Sequence, residues 1–139
     1  MHGFRFTVAA SAFIVAVSLV IQAAEGTQSQ SVEIQLQLGN MFFGEGRYQE
    51  SLEAFRNAVK VAPPDQMRQA RGGVILSSLR VAEFESARVE AEKLITESPR
   101  APEALALYGD ALWASGLFEQ AENKYKDALS TPDRAARFL

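Results

Sequence analysis

The feature that most constrains this chain is that it repeats itself. Gly39, Gly46, Tyr48, Phe55 and Ala58 reappear 70 residues later as Gly109, Gly116, Phe118, Tyr125 and Ala128. The chemistry is kept at each place: glycine, glycine, aromatic, aromatic, alanine. Two units of about 34 residues with a short insertion account for that separation, so a middle unit is expected between them. It is there in weaker form. Phe84 takes the aromatic place, Ala87 the small place that Ala121 holds later, and Pro99 closes the unit as Pro63 closes the first. The insertion falls around Pro64 to Met67.

Each unit reads as two helices. Ser31 is positioned to cap a helix running to Gly44, with Ile34, Leu38, Met41 and Phe42 at helical spacing. Glu45-Gly46-Arg47 forms the turn, where glycine suits a left-handed backbone. A second helix spans 48–61 and shows Leu52, Phe55 and Val59, and Pro63-Pro64 stops it. The middle unit gives helices over 65–81 and 84–97, and the last over 101–115 and 118–130, with Gly116 in its turn. No segment alternates apolar and polar residues with a period of two, so no sheet is expected.

These residues resemble the tetratricopeptide repeat family. Leu38-Gly39, Phe42, Tyr48, Phe55 and Pro63 carry the likeness in the first unit, and Leu105, Tyr108-Gly109, Leu112, Ala121 and Tyr125 in the last. The resemblance spans residues 32–130, divided as 32–65, 66–99 and 100–131. It implies an all-α fold, a right-handed α-solenoid of about three helix-turn-helix repeats. Small residues (Gly39, Gly109, Ala58, Ala121, Ala128) let paired helices approach, and Phe55 and Tyr125 fill the space between them. The middle unit departs from the pattern. Gly72-Gly73 sit early, and Ile75 occupies the small-residue place. Ser51 replaces the usual alanine of the first unit.

Ahead of the repeats stands an address. Arg5 precedes an apolar run from Phe6 to Ile21, and Ala24-Glu25-Gly26 offers small residues where a signal peptidase inspects. Residues 1–26 therefore read as a signal peptide. Because Phe6 to Ala24 carries no charge, an uncleaved membrane anchor is the competing reading. Residues 27–31 form a polar linker. The expected destination is the periplasm or cell envelope rather than the cytoplasm.

Composition removes several chemistries. The chain has no cysteine, and its one histidine, His2, lies in the address segment. Disulfide staples, thiol nucleophiles, histidine-dependent triads and the usual zinc sites are excluded from the repeats. The 14 basic and 17 acidic residues interleave, so there is no basic stripe for nucleic acid. Gly72-Gly73 lacks the lysine and strand of a phosphate loop and reads as a close helix contact. Glu83, Glu85, Glu90 and Glu92 are spread over different helix faces among Arg88 and Lys93 and read as a solvated face. Glu50 and Glu53 lie one turn apart without an apolar pocket to tune them. No catalytic residue, metal or cofactor is expected.

The resemblance implies function as well. In this family the first helix of each pair lines a groove that holds a peptide or a partner's helix. Carried over, the groove positions are Glu33, Leu36, Asn40 and Phe43 in the first unit. The middle unit offers Leu76, Leu79 and Arg80, and the last Glu103, Ala106, Asp110 and Trp113. Some members clamp a chaperone's acidic tail through lysines and asparagines. Asn40 matches one such asparagine, but Glu33 and Leu36 stand at the basic places. The expected role is an exported module for a protein or peptide with apolar anchors and some positive charge. Two other classes remain: the front end of a longer envelope enzyme such as a peptidase, and a homo-oligomeric envelope scaffold. Membrane contact is expected only through the N-terminal segment, if it stays uncleaved. Thr131-Pro132-Asp133 reads as the start of a further helix over 132–139.

Overall fold

The computed structural model describes residues 30–130. The expectations for the address segment and for residues 132–139 lie outside them. Six helices follow one another among the described residues. The described part of α1 covers 30–44, then come α2 (Tyr48–Val61), α3 (Pro64–Arg80), α4 (Phe84–Glu97), α5 (Pro102–Ala114) and α6 (Phe118–Ser130). From α2 onward consecutive helices pack on one another, α3 also touches α5, and α1 meets α2 where Gly39 lies under Phe55. This is an all-α helical-repeat solenoid.

Two helix starts differ from expectation. Residues 30 and 31 are already helical, so Ser31 is no cap and the linker does not reach it. The reason is Val32, fully buried in the first core cluster, which holds the opening turn against the domain. Pro64 does not end α2. It opens α3 at the first helical position, where its missing N–H costs nothing. The insertion is visible as extra length, 17 residues in α3 against 13 in α5.

The three turns within the units are built alike. The amide of Arg47 donates to the carbonyl of Phe42, Glu83 to Ser78, and Leu117 to Leu112, at 2.9 Å each. Inside these bonds Gly46, Ala82 and Gly116 donate to Phe43, Leu79 and Trp113. This is the Schellman closure, which needs a left-handed residue just past the helix. Gly46 (φ 76°), Ala82 (φ 62°) and Gly116 (φ 78°) supply it. Ala82 has a β-carbon and bears the strain that the two glycines avoid.

The core falls in two apolar clusters. Val32, Leu36, Leu52, Phe55, Ala58, Ala70 and Val74 join α1, α2 and α3. Ile75, Ala87, Ala91, Leu94, Ala104 and Ala111 join α3, α4 and α5. Phe55 is wedged between two glycines. A β-carbon on Gly39 would stand 2.7 Å from its ring, and one on Gly73 would be closer still. Tyr125 covers Gly109 in the same way.

The middle unit solves its departure by exchanging sizes. Ile75 stands at the place of Gly39 and Gly109, and Ala91 stands at the place of Phe55 and Tyr125. Both are fully buried in one cluster, so the large side chain reaches across from α3 instead of from α4. Total volume is kept, which is what close-packed interiors demand.

Between the clusters runs a short polar seam. The Ser51 hydroxyl lies 2.9 Å from the carbonyl of Gly39 and 2.9 Å from the hydroxyl of Ser77. Ser51, Ser77 and Ser78 are all fully buried. Ser51 is therefore more than a substitute for alanine, since its hydroxyl ties α2 to both α1 and α3.

Candidate functional site

The first helices of the three units, α1, α3 and α5, form a continuous face. Val32 and Leu36 of α1 share one buried cluster with Ala70 and Val74 of α3, and α3 touches α5. The second helices α2 and α4 buttress this face from behind through Phe55 and Leu94. Exposed side chains on such a scaffold are presented with little freedom of the backbone.

Ten of the eleven groove positions are at least partly open to solvent. Glu33 is exposed and accepts a hydrogen bond from Gln37 Nε2 at 2.9 Å. Asn40, Arg80, Asp110 and Glu103 are exposed, while Phe43, Leu79 and Ala106 are half-buried. Leu76 and Trp113 are exposed apolar residues, at 41% and 57%. Leu36 corrects the expectation: at 1% exposure it belongs to the core with Leu52 and Phe55. Its place on α1 turns it into the cluster that joins α1, α2 and α3, and burying a leucine there is worth about 1.5–3 kcal/mol more than leaving it wet.

Two aromatic pairs mark the turn end of this face. Phe43 meets Tyr48 edge to face, with centroids 5.2 Å apart. Trp113 meets Phe118 in the same geometry at 4.8 Å. Tyr48 and Phe118 stand in the sequence as the repeated aromatics that open the second helices, not as members of the groove. The signal that joins them to the face is the same 70-residue spacing, which carries Phe43 to Trp113 as well as Tyr48 to Phe118. The guanidinium of Arg80 lies over the first pair, 5.9 Å from the Phe43 ring and 5.7 Å from the Tyr48 ring.

Asp110 is tied to the helix behind it. Its Oδ1 accepts a hydrogen bond from the Tyr125 hydroxyl at 2.8 Å. Burial first, then that hydrogen bond and the charge of Asp110, push the Tyr125 hydroxyl up to about 12. Farther along the face, a hollow of about 350 Å³ opens between α3 and α5. Asp65, Arg68, Gln69 and Glu103 line it above Leu94 and Leu107.

The acidic cluster away from this face is mostly paired surface charge. Glu83 bonds Arg56 at 2.5 Å, while Glu85 and Glu92 both bond Arg88. Glu90 is the correction. Its side chain is only 15% exposed and bonds Arg71 and Lys93, both at 2.6 Å. Arg71 also holds Glu97 at 3.0 Å, locking α3 to α4. Burial pushes the Glu90 carboxyl up, but the hydrogen bonds from Lys93 and Arg71 outweigh it and hold the group below its ordinary value.

Residues 32–65 match the family model described as the tetratricopeptide repeat. No curated protein matches the chain. Among solved structures it is similar to the second tetratricopeptide domain of Spaghetti (RPAP3) bound to the HSP90 peptide SRMEEVD. That likeness has a TM-score of 0.71 at 18% identity, over 84% of this chain and 99% of that one. It is similar also to the tetratricopeptide domain of Arabidopsis FLU, with a TM-score of 0.69 at 19% identity, over 74% and 95% of the two chains. The first tetratricopeptide domain of Spaghetti, bound to the same peptide, gives 0.67 at 19% identity, over 79% and 87%. The first unit is thus matched by the tetratricopeptide repeat model, and the described helices share the fold of these tetratricopeptide domains.

Proposed function

We propose that this chain is an exported interaction module that holds a protein or peptide segment against the face of α1, α3 and α5. The observation that carries the reading is the set of exposed side chains on that face: Asn40, Leu76, Arg80 and Trp113 on rigid, mutually packed helices. Two similar structures hold a peptide, in both cases SRMEEVD. That peptide is acidic, whereas the face here exposes Glu33, Glu103 and Asp110. A partner with apolar anchors and positive charge fits it better. The role is binding rather than catalysis.

Alanine substitution tests this. Asn40→Ala, Leu76→Ala and Trp113→Ala are expected to weaken a bound partner segment at least 5-fold, since anchor losses exceed about 1 kcal/mol. Gln49→Ala and Asn57→Ala, on α2, are expected to leave it unchanged. The reverse ranking, in folded variants, would move the site off this face. Export rests on the N-terminal pattern of Arg5, the apolar run and Ala24-Glu25-Gly26. The intact mass of the chain recovered from the envelope of an export-competent bacterial host tests it. Loss of about 26 residues is expected, and retention of the whole chain in the cytoplasm would contradict it.

A further inference from the structure

Most of the described glycines have a reason inside the fold. Gly39 and Gly73 make room for the Phe55 ring, Gly109 for the Tyr125 ring, and Gly46 and Gly116 hold left-handed turns. Gly44 closes α1. Gly72 has no such reason. It stands midway along α3, where glycine is the least favourable residue after proline. A β-carbon there would meet only Leu107 Cδ1, at an ordinary 3.7 Å. The repeat shows what this glycine leaves out. Three residues before Gly39, Ile75 and Gly109 stand Leu36, Gly72 and Ala106. In the first unit that place is filled by a leucine buried in the cluster of α1, α2 and α3. In the middle unit it carries no side chain, and the hollow of about 350 Å³ opens next to it between α3 and α5. Helical side chains lean toward the N-terminus. A leucine in place of Gly72 would therefore lie over Arg68 and Gln69, beside Leu107, and these three residues line the hollow. The helices on both sides of this junction are among the described residues, so the hollow is open with its flanking units in place.

We infer that this hollow takes a leucine-like side chain from a partner segment, with a lysine or arginine next to it. The floor is apolar, made by Leu107 together with Leu94 and Ala104, each 1% exposed. The first unit already shows which side chain such a place holds, in Leu36. The glycine also lets the partner's main chain come close to α3. The rim supplies the charge. Asp65 and Glu103 are exposed and form no ion pair among the described residues. By contrast Glu83, Glu85, Glu90, Glu92 and Glu97 are each spent on an arginine. With Arg68 the rim carries two acids to one base, a field that favours a cation. This inference rests on the proposed binding face and adds the chemistry of one subsite on it.

The test pans a random peptide library on the full chain and titrates the selected peptides against Gly72→Leu, which supplies from inside the side chain that the partner would bring. Selected peptides are expected to carry leucine or isoleucine beside lysine or arginine. Gly72→Leu is expected to melt no lower than the parent chain and to weaken binding about 10-fold or more, the scale of an anchor. Gly72→Ala, which fills less of the space, is expected to weaken it less. Replacing the peptide's leucine by alanine is expected to cost as much on the parent chain and nothing further on Gly72→Leu. Asp65→Asn with Glu103→Gln is expected to weaken the basic peptide and to spare one with glutamine in place of its base. Should Gly72→Leu fail to fold, Gly72→Ala and the peptide's leucine-to-alanine change still read the hollow, and no loss from either would overturn the inference. Equal affinity of Gly72→Leu and the parent chain, peptides without an aliphatic anchor, or no selection at all would overturn it too. So would amide signals of residues outside 30–130 that move in the free Gly72→Leu chain, which would place the chain's own end in the hollow. Peptides that need Asn40 and Trp113 but ignore Gly72→Leu would overturn it while leaving the binding face intact.

Discussion

Gly39 lies so close under the ring of Phe55 that a β-carbon there would stand 2.7 Å from the ring edge. Gly73 of the next unit closes on the same ring from α3. One aromatic side chain thereby sets the spacing of three helices, and the two glycines are small because the ring occupies the space.

Gly73→Ala is therefore expected to destabilise the domain by about 1–3 kcal/mol, as overpacked cores do, although alanine favours helix by about 1 kcal/mol. Gly72→Ala is the control. Its β-carbon would meet only Leu107 Cδ1 at an ordinary 3.7 Å. That variant is expected to gain up to about 1 kcal/mol. Urea denaturation of both separates the effects, and similar midpoints for the two would refute the wedge.

Ala82 holds a left-handed conformation at φ 62° where its counterparts are glycines. Ala82→Gly is expected to stabilise the chain by about 0.5–1 kcal/mol by releasing that strain. The thermal midpoint should rise by a few degrees. A fall would show that the turn does not bear the strain its angle implies.

Ser51 and Ser77 share a buried hydroxyl contact at 2.9 Å. Ser51→Ala is expected to cost about 1–3 kcal/mol, because it removes a partner from a hydroxyl that water cannot reach. Ser51→Ala with Ser77→Ala should cost less than the sum of the two single changes. A double-mutant cycle gives the coupling directly, and additive losses would mean the hydroxyls act independently.

The Glu90 carboxyl is held below its ordinary value by Lys93 and Arg71. A depressed carboxyl adds stability that is present above its unfolded value, near 4.5, and is lost as pH falls through the folded value. Glu90→Gln is expected to lower stability at neutral pH and to flatten its decline below about pH 4.5. Denaturation midpoints from pH 7 down to pH 3 check this. An acid limb identical to that of the parent chain would assign it to other carboxylates.

Much of this architecture was legible because packing writes itself into residue size. Gly39, Phe55, Gly109 and Tyr125 keep both size and spacing, so the first and last units could be read directly. The middle unit was harder, since Ile75 and Ala91 exchange the large and small roles and a search for fixed residue types finds neither. Its left-handed turn was hidden for the same reason, with Ala82 standing where glycine is the usual sign. On the candidate site, exposure was the weak point. Leu36 and Leu76 are the same residue type on the first helices of two units, yet one is buried in the cluster of α1, α2 and α3 and the other faces solvent. Periodicity placed Leu36 on the helix, but only the neighbouring helix decides how much of it water reaches.

The central claim is that a partner segment lies along α1, α3 and α5. Backbone amide chemical shifts of the labelled chain, followed during titration with a selected peptide, test it most directly. Shifts are expected to concentrate at Asn40, Leu76, Arg80, Asp110 and Trp113, with α2 and α4 quiet except where they touch those residues. Shifts concentrated instead on the outer surface of α2, around Glu50, Glu53 and Asn57, would contradict the account.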